Sequence, residues 1–374
     1  MKKLGLVLLW LAAVPADAEN PANAAGEFIA PPVTGHVHAS TILPLVKEGD
    51  YLVAWFEGTK ESAPDVAIRG SRRIGGTWEP VRTLAKVNPE SPHWNPVLRR
   101  ADDGRIELFF KVGRNCSDWR TYVQESRDEG RTWTVSRELV AGDVSGGRGP
   151  VKNKCLKLKS GRWLAPASRE FDPAARWELK TLWRAFVDIS DDDGRTWRAS
   201  APFPVPTDAP AWSRKRPFGV IQPTLWEDEA GVHALMRATD GWIWRTDSTD
   251  NGETWREVYR SPLENINSGL DCIRASDGRL YLAMNGPGVA RRGIRDHLEV
   301  KVSADGGKTW KTFTVLAEDG PKQPDGRGTE FSYPAIIEPR PGVLAITFTW
   351  NRRQVRFVEL PVRPSPADVA RSFR

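Results

Sequence analysis

The amino-acid sequence predicts an all-β protein, a six-bladed β-propeller of four-stranded antiparallel sheets. Three observations support this prediction: an octapeptide that recurs about every 58 residues, six apolar runs that each lead into a glycine-containing turn, and a composition of 32 Gly, 29 Pro and 17 Trp in 374 residues. Such a composition is typical of many short strands. The net charge of +6 comes from 54 Lys and Arg against 48 Asp and Glu without long single-sign blocks, so a nucleic-acid partner is not indicated.

The first 18 residues have the form of a signal peptide. Lys2 and Lys3 precede an apolar run from Leu4 to Val14, and Ala16-Asp17-Ala18 has the small-residue pattern of a cleavage site. The apolar run is too short to span a bilayer, although an uncut N-terminal anchor is the alternative. We therefore expect a secreted or periplasmic protein with a linker over 19–33, a propeller over 34–362 and a tail over 363–374.

The recurring octapeptide has the pattern Ser-x-Asp-x-Gly-x-Thr-Trp. Four clear copies and one degenerate copy, with Arg73 in place of the aspartate, are present at Ser126–Trp133, Ser190–Trp197, Ser248–Trp255, Ser303–Trp310 and Ser71–Trp78. The aspartate can accept backbone N–H bonds across a hairpin turn, the glycine supplies a positive φ, and the tryptophan packs the turn on its sheet. Because every copy forms the same local turn, this box is predicted to stabilise the fold and not to be a catalytic site.

The six apolar runs are predicted to be the innermost strands of the blades. Innermost strands converge around the central channel of a propeller, so polar residues near their starts should meet at one mouth of that channel. These residues are His38, Asn95, Asn153, Lys154, Gln222, Asn267, Asp271 and Tyr333. Buried polar groups need partners, which leaves two interpretations: they bond to one another and to channel water, or they bind a ligand.

The three cysteines indicate neither a metal nor a disulfide framework. Cys116, Cys155 and Cys272 show no Cys-x-x-Cys or Cys/His spacing, so we expect buried thiols, of which two could form one disulfide. The sequence predicts no metal and no cofactor.

The boxes and their six-blade spacing resemble those of the sialidase (neuraminidase) superfamily, whose repeats are called Asp-boxes or BNR repeats. The resemblance covers roughly residues 34 to 360. It implies an exo-acting glycosidase on a terminal acidic sugar of glycoconjugates or polysaccharides, and we expect a monomer whose partner is carbohydrate. Members of this superfamily hold the substrate carboxylate with three arginines, attack with a tyrosine that a glutamate activates, and protonate the leaving group with an aspartate.

Several residues match the motifs of that superfamily. Tyr333, in Phe-Ser-Tyr-Pro, resembles the nucleophile, and Arg237 resembles the second arginine of the triad. Arg295 resembles the third arginine, with Arg291 and Arg292 as competitors. The resemblance places the acid in the loop after the first hairpin, where Asp65 is preferred and Glu61 is the rival. Contacts to substrate are expected from Lys154, Asn95, Asn153, Asn267 and Asp271, with Trp94, Trp119 and Trp350 as candidates for stacking on sugar.

Two positions depart from the superfamily pattern. His38 stands where the first arginine is expected, and Gln222 stands where the activating glutamate is expected. Gln cannot accept a proton as Glu does, and His is not a permanent cation. Glu330 and Glu61 are the acids that the sequence places near Tyr333. Two alternatives therefore stay open: a rhamnose/uronate-type glycosidase or lyase that uses His38, and a non-catalytic carbohydrate-binding propeller.

Overall fold

The computed structural model describes residues 26–170, 182–207, 217–286, 294–323 and 326–362. The predicted signal peptide and C-terminal tail lie outside these residues. The described residues form 25 β-strands in six antiparallel sheets, five with four strands and one with a fifth short strand. None of the described elements is a helix able to cross a membrane. The predicted six-bladed propeller is confirmed.

Each blade is an antiparallel meander that follows the chain. In blades one to three the strands are β2 (His36–Pro44), β3 (Tyr51–Gly58), β4 (Ala67–Ile74), β5 (Thr77–Trp78) and β6 (Arg82–Ala85); β7 (His93–Arg100), β8 (Ile106–Val112), β9 (Arg120–Ser126) and β10 (Arg137–Glu138); and β11 (Leu156–Lys157), β12 (Trp163–Arg169), β13 (Arg184–Ser190) and β14 (Arg198–Ala199).

Blades four to six follow the same plan. Their strands are β15 (Val220–Asp228), β16 (Gly231–Ala238), β17 (Trp242–Ser248) and β18 (Tyr259–Glu264); β19 (Asp271–Arg274), β20 (Leu280–Asn285), β21 (His297–Ser303) and β22 (Lys311–Glu318); and β23 (Phe331–Arg340), β24 (Val343–Trp350), β25 (Gln354–Pro361) and β1 (Gly26–Phe28). The innermost strands are β2, β7, β11, β15 and β19 in blades one to five and β23 in blade six.

Blade six is completed by the beginning of the propeller chain. Strand β1 pairs with β25, so that Gly26 lies opposite Val358 and Phe28 opposite Arg356. A Cβ atom at Gly26 would lie 2.8 Å from the carbonyl oxygen of Phe357, which explains the absence of a side chain there. The segment expected to be a linker, 19–33, therefore supplies a strand, because pairing with β25 closes the ring of blades.

The core consists of six apolar layers, one between each pair of neighbouring blades. Between blades two and three, for example, Phe109 and Val123 pack with Trp163 and Trp197. Between blades six and one, Phe357 packs with residues of β3. The other four layers have the same composition, aromatic and branched aliphatic side chains that are almost fully buried. The sheets are thus held face to face around the channel, and each inner strand is fixed in place.

The octapeptide boxes form the turns expected from the sequence. In the copy of blade five, the Thr309 amide and hydroxyl donate to the Asp305 carboxylate at 2.9 and 2.6 Å, and the Gly307 amide donates to Ser303 Oγ at 2.9 Å. The bonds from Thr309 are the main reason that the pKa of Asp305 lies well below its ordinary value. Trp310 Nε1 donates to the Gly307 carbonyl at 3.1 Å. The prediction of a local folding device is confirmed.

The glycine of each of the four clear boxes also lies against the preceding blade. A Cβ atom at Gly130 of blade two would lie 2.9 Å from Leu52 of blade one, and one at Gly252 of blade four would lie 2.8 Å from Leu164 of blade three. The box therefore does two things at once: it closes its own turn and packs against the neighbouring sheet.

We expect Gly252→Ala to lower the free energy of unfolding by about 2–4 kcal/mol, because the new methyl group combines a strained backbone with overpacking against Leu164. Gly278→Ala is the matched control. Gly278 has a φ of 81°, close to the 83° of Gly252, but nothing lies within 4 Å of its Cβ position. The control should cost only about 1 kcal/mol. Urea denaturation of both variants measures the difference, and equal losses would contradict the inter-blade contact.

Candidate active site

Each blade has one residue with positive φ near the start of its first strand, within the strand in blades one, two, four and six and four residues before it in blades three and five. These residues are Ala39, Asn95, Lys152, Gln222, Asn267 and Tyr333. In four blades the strand pairing shifts at this point, between His38 and Thr41 in blade one and between Ser332 and Ala335 in blade six, for example. Such bulges change the direction of a side chain and are common beside functional sites. The bulges mark one mouth of the channel.

In four of the six blades the positive-φ residue is one of the polar residues predicted at this mouth: Asn95, Gln222, Asn267 and Tyr333. In the other two blades it is a neighbour of the predicted residue, Ala39 beside His38 and Lys152 beside Asn153. Asn95, Gln222 and Tyr333 precede a proline, whereas the other three residues do not.

A cavity of about 310 Å³ opens at this mouth. Its lining brings together six of the predicted site residues: His38, Glu61, Asn95, Gln222, Arg237 and Tyr333. Trp94, Trp119 and Cys116 of blade two also line it. Three buried side-chain atoms of this lining have no hydrogen-bond partner among the described residues: Gln222 Oε1, Arg237 Nε and Trp119 Nε1. Unpaired buried polar atoms in a cavity are what a bound polar ligand would satisfy.

Tyr333 lies at the bottom of the cavity and is surrounded by basic side chains. Arg237 Nη1 donates to its hydroxyl at 3.0 Å. The guanidinium groups of Arg237 and Arg295 lie 5.7 and 5.5 Å from the centre of its ring, and the imidazole of His38 lies 4.1 Å from it, centroid to centroid. Two of the three arginines expected from the resemblance therefore surround the predicted nucleophile.

A third arginine beside Tyr333 comes from a residue that sequence reasoning missed. Arg352 follows β24 in a turn and has a φ of 57°. Its Nε donates to Glu330 at 2.9 Å and its Nη1 to Glu61 at 2.5 Å, while Arg295 contacts the same Glu330 at 3.1 Å. The competitors Arg291 and Arg292 lie outside the described residues. No box or repeat accompanies Arg352, so no sequence signal singled it out.

His38 does not replace the missing arginine as a cation. Burial and then the positive charges of Arg352, Arg295 and Arg237 hold the pKa of His38 well below its ordinary value. Its Nδ1 is bonded to Thr349 Oγ1 at 3.0 Å. The imidazole is therefore neutral at pH 7, and it packs against Tyr333 without supplying charge.

The two predicted acids occupy different positions. The Asp65 carboxylate accepts from the amide and hydroxyl of Thr59, at 2.8 and 2.5 Å, in an exposed turn, and it does not line the cavity. Glu61 does line it, with a side chain that is 40% exposed and paired with Arg352. The structure thus places the rival acid in the cavity and the preferred acid outside it, because the turn uses the Asp65 carboxylate for its own amides.

Glu170 is a second carboxylic acid of the cavity, and sequence reasoning missed it. It follows β12 in blade three, across the cavity from Glu61 of blade one. Burial is the main reason that the pKa of Glu170 is raised, although Arg237 acts in the opposite direction. A buried carboxylic acid with a raised pKa in a cleft is a candidate for proton transfer. Glu330, by contrast, is held ionised, since Arg352 and Arg295 outweigh burial and lower its pKa.

Lys154 and Asp271 lie inside the channel, away from the cavity lining. Lys154 Nζ donates to Asp271 Oδ1 at 2.8 Å, and the same carboxylate accepts from Thr224 Oγ1 at 2.8 Å and from the Ile336 amide at 3.0 Å. These bonds join blades three, four, five and six. This geometry fits the interpretation in which channel residues bond to one another.

The remaining polar residues of the channel are used in a similar way. Asn153 Nδ2 donates to the carbonyls of Gln222 and Pro223 at 3.1 and 3.0 Å. Lys152 Nζ donates to the carbonyl of Pro334 at 2.5 Å, and burial lowers the pKa of Lys152 to about 7. Asn267 is half-buried and is not part of the cavity lining. These bonds fix the backbone on both sides of the cavity floor.

Two of the three tryptophans proposed for sugar stacking line the cavity. Trp94 and Trp119 lie 5.7 Å apart, centroid to centroid, whereas Trp350 packs against Phe331 in blade six. Among the described residues, the three cysteines are free thiols and no group of His, Cys, Asp and Glu is arranged to hold a metal ion.

The six blades and the arginines around Tyr333 define a sialidase-like β-propeller. A family model described as a BNR repeat-like domain matches residues 49–346. The chain belongs to this family of BNR repeat-like proteins. No curated protein matches the sequence.

Solved structures share the fold at low sequence identity. A protein of unknown function from Dyadobacter fermentans has a TM-score of 0.72 at 16% identity, with 91% of this chain and 99% of that chain covered. The Hadza microbial sialidase Hz136 has a TM-score of 0.68 at 17% identity, covering 90% and 68%. The NanB sialidase from Streptococcus pneumoniae has a TM-score of 0.66 at 14% identity, covering 90% and 70%. At such identities the likeness concerns the fold, and function must be argued from the site.

Proposed function

We propose that this protein is a secreted exo-glycosidase that removes a terminal acidic sugar, sialic acid or a related anionic sugar, from glycoconjugates or polysaccharides. The observation that carries the proposal is the placement of Tyr333 among Arg237, Arg295 and Arg352 in a cavity that also contains two carboxylic acids. Secretion is proposed from the sequence of residues 1–18.

The arginines would recognise the carboxylate of the sugar. Guanidinium groups bind carboxylates through paired, charge-assisted hydrogen bonds, and they stay charged at any physiological pH. Nη1 of Arg237 donates a hydrogen bond to the Tyr333 hydroxyl, and the buried Nε of Arg237 has no hydrogen-bond partner among the described residues. Arg295 and Arg352 share Glu330, which holds them in position.

Tyr333 would act as the nucleophile. Its oxygen attacks the anomeric carbon as the bond from that carbon to the leaving group breaks, and a neutral phenol avoids the repulsion that a carboxylate nucleophile would meet from the carboxylate of the sugar. Glu170 takes the phenol proton in place of a glutamate at position 222, since a raised pKa makes it a stronger base than an ordinary glutamate. Arg237 stabilises the developing negative charge on the phenol oxygen.

Glu61 would protonate the oxygen of the leaving group. In the free protein its carboxylate is paired with Arg352. A substrate carboxylate that binds Arg352 would compete with Glu61 for this partner and free the Glu61 side chain to reach the glycosidic oxygen. Water then attacks the anomeric carbon as its bond to the Tyr333 oxygen breaks, Glu61 takes a proton from that water, and Glu170 returns its proton to the phenolate.

The lowered pKa of His38 keeps its imidazole neutral, which argues against this residue as the general acid of a rhamnose/uronate-type glycosidase or lyase. A panel of methylumbelliferyl glycosides, including the N-acetylneuraminide, glucuronide and rhamnoside, tests the proposal directly. Turnover restricted to acidic sugars supports it. Binding of acidic sugars without turnover of any would instead indicate a non-catalytic carbohydrate-binding propeller.

We expect Arg237→Lys to weaken binding of an acidic sugar by about tenfold or more, because lysine keeps the charge but loses the paired donors. Binding of any neutral sugar that the cavity accepts should be unchanged. Titration calorimetry with both sugars measures this, and Arg260→Lys serves as a control, since Arg260 stacks on Trp242 in the outer strand of blade four. Equal losses for acidic and neutral sugars would argue against carboxylate recognition.

A further inference from the structure

A second pocket, which we call the basic pocket, lies beside the active cavity on the side of Glu61. It has a volume of about 190 Å³ and is lined by His36, Arg327, Arg352 and Arg353 together with uncharged polar residues. No Asp or Glu is among the described residues that line it. Two contacts join it to the active cavity: Arg352 donates to Glu61, and the Glu61 amide donates to His36 Nδ1 at 3.4 Å.

Arginine side chains supply the charge of this pocket, and that of Arg352 is shared with Glu61 and Glu330. Arg353 Nη1 donates to the backbone carbonyls of Thr34 and Gly35, and among the described residues no carboxylate forms an ion pair with it. Burial, followed by the charges of Arg352 and Arg327, lowers the pKa of His36. The histidine is therefore a neutral hydrogen-bonding group in a field set by the arginines, which favours an anion.

We propose that the basic pocket binds an anionic group, a carboxylate or a sulfate, on the leaving-group side of the substrate. This inference rests on the proposed function, because Glu61 marks the leaving-group side only if it protonates the glycosidic oxygen. A sugar held by its carboxylate near Tyr333 directs its aglycone past Glu61 and Arg352, and the basic pocket lies beyond them. The preferred substrate is then an acidic sugar linked to a second anionic residue, as in a polyanionic polysaccharide.

A binding experiment tests the anion site without any turnover. Thermal unfolding is followed while inorganic sulfate replaces chloride at constant ionic strength, since a ligand of the native state raises Tm in a saturable way. We expect Arg327→Gln to weaken the apparent affinity for sulfate roughly tenfold, as loss of one charge-assisted contact would. Arg340→Gln, which removes the same charge from the last residue of β23, at the end of that strand opposite to Tyr333, should leave it unchanged, and so should Arg237→Lys.

A kinetic experiment tests the position of the site on the substrate. With a uronate-bearing or a sulfated aglycone, we expect Arg327→Gln to raise KM about tenfold. With the uncharged methylumbelliferyl aglycone, KM and kcat should not change. A rise in KM with the uronate-bearing aglycone, with the sulfated aglycone or with both supports the proposal. The aglycone that shows the larger rise identifies the anion that the pocket prefers.

Three results would overturn the inference: no saturable sulfate effect in the wild type, sulfate binding that depends on Arg237 and not on Arg327, or an equal effect of Arg327→Gln on charged and uncharged aglycones. Failure of the proposed function looks different. In that case no acidic glycoside is turned over, while the dependence of sulfate binding on Arg327 can still be measured.

Discussion

Tyr333→Phe should lower kcat on an acidic glycoside by on the order of 10³-fold or more, with a much smaller change in the binding of the acidic sugar. The substitution removes the attacking oxygen and the acceptor of the 3.0 Å bond from Arg237, but it keeps the ring that packs between His38 and the arginines. Loss of a nucleophile removes the covalent route altogether, so the effect on kcat is large. Single-turnover kinetics with calorimetry on the same variant separates chemistry from binding.

The matched control is Tyr122→Phe, a tyrosine that stacks on Phe110 in blade two outside the cavity. It should retain kcat and KM. A Tyr333→Phe variant with the wild-type kcat would show that no covalent step passes through this oxygen. Proton transfer by Glu61 and Glu170 on a bound water would then be the remaining mechanism.

Glu170→Gln should lower kcat by roughly 10²–10⁴-fold, the usual contribution of a general acid or base. The pH profile gives a second measure. A base must be ionised, so wild-type activity falls as the pH drops through the pKa of Glu170, and because that pKa is raised the fall begins above the ~4.3 of an ordinary glutamate. Glu170→Gln should abolish this fall in activity at low pH, whereas Glu170→Asp should keep it, at a lower overall activity.

Glu61→Gln distinguishes the roles of the two acids. If Glu61 protonates the leaving group, its loss should matter little for methylumbelliferyl, a good leaving group, and much more for a sugar aglycone. Glu170→Gln should slow both substrates alike. If Glu170→Gln instead affects the sugar aglycone more and Glu61→Gln slows both substrates alike, Glu170 is the acid and Glu61 the base. Full activity of Glu170→Gln on both substrates would show that Glu170 has no part in the mechanism.

The fold could be predicted because its signals are local and repeated. Each box closes its own turn with side chains at fixed spacing, and the six inner strands carry a polar residue at similar positions. The residues of the cavity floor, such as Gln222 and Tyr333, were found through this repetition. A proline follows the positive-φ residue in these blades, but Ala39, Lys152 and Asn267 have no such neighbour, so no common local signal marks that position.

The rest of the site depends on contacts between blades, which no local pattern encodes. Glu170 and Arg352 follow strands of blades three and six and reach the cavity only because the ring places those strand ends side by side. The choice between Asp65 and Glu61 is a different case. The two lie four residues apart in one loop, and the choice is made by the turn at Thr59, whose amide and hydroxyl are satisfied by the Asp65 carboxylate.

The joint between blades six and one is where the first and last strands of the propeller chain come together. Strand β1, from the start of the chain, pairs with β25 inside the sheet of blade six, and bonds such as Ser40 Oγ to Thr347 Oγ1 at 3.0 Å join that blade to blade one. Tyr333 and Arg352 stand on one side of this joint, and His38 and Glu61 stand on the other. A small opening there would separate nucleophile from acid while every sheet kept its own hydrogen bonds. Catalysis is thus the most sensitive reporter of ring integrity, and inactivation on heating should precede the loss of β-structure.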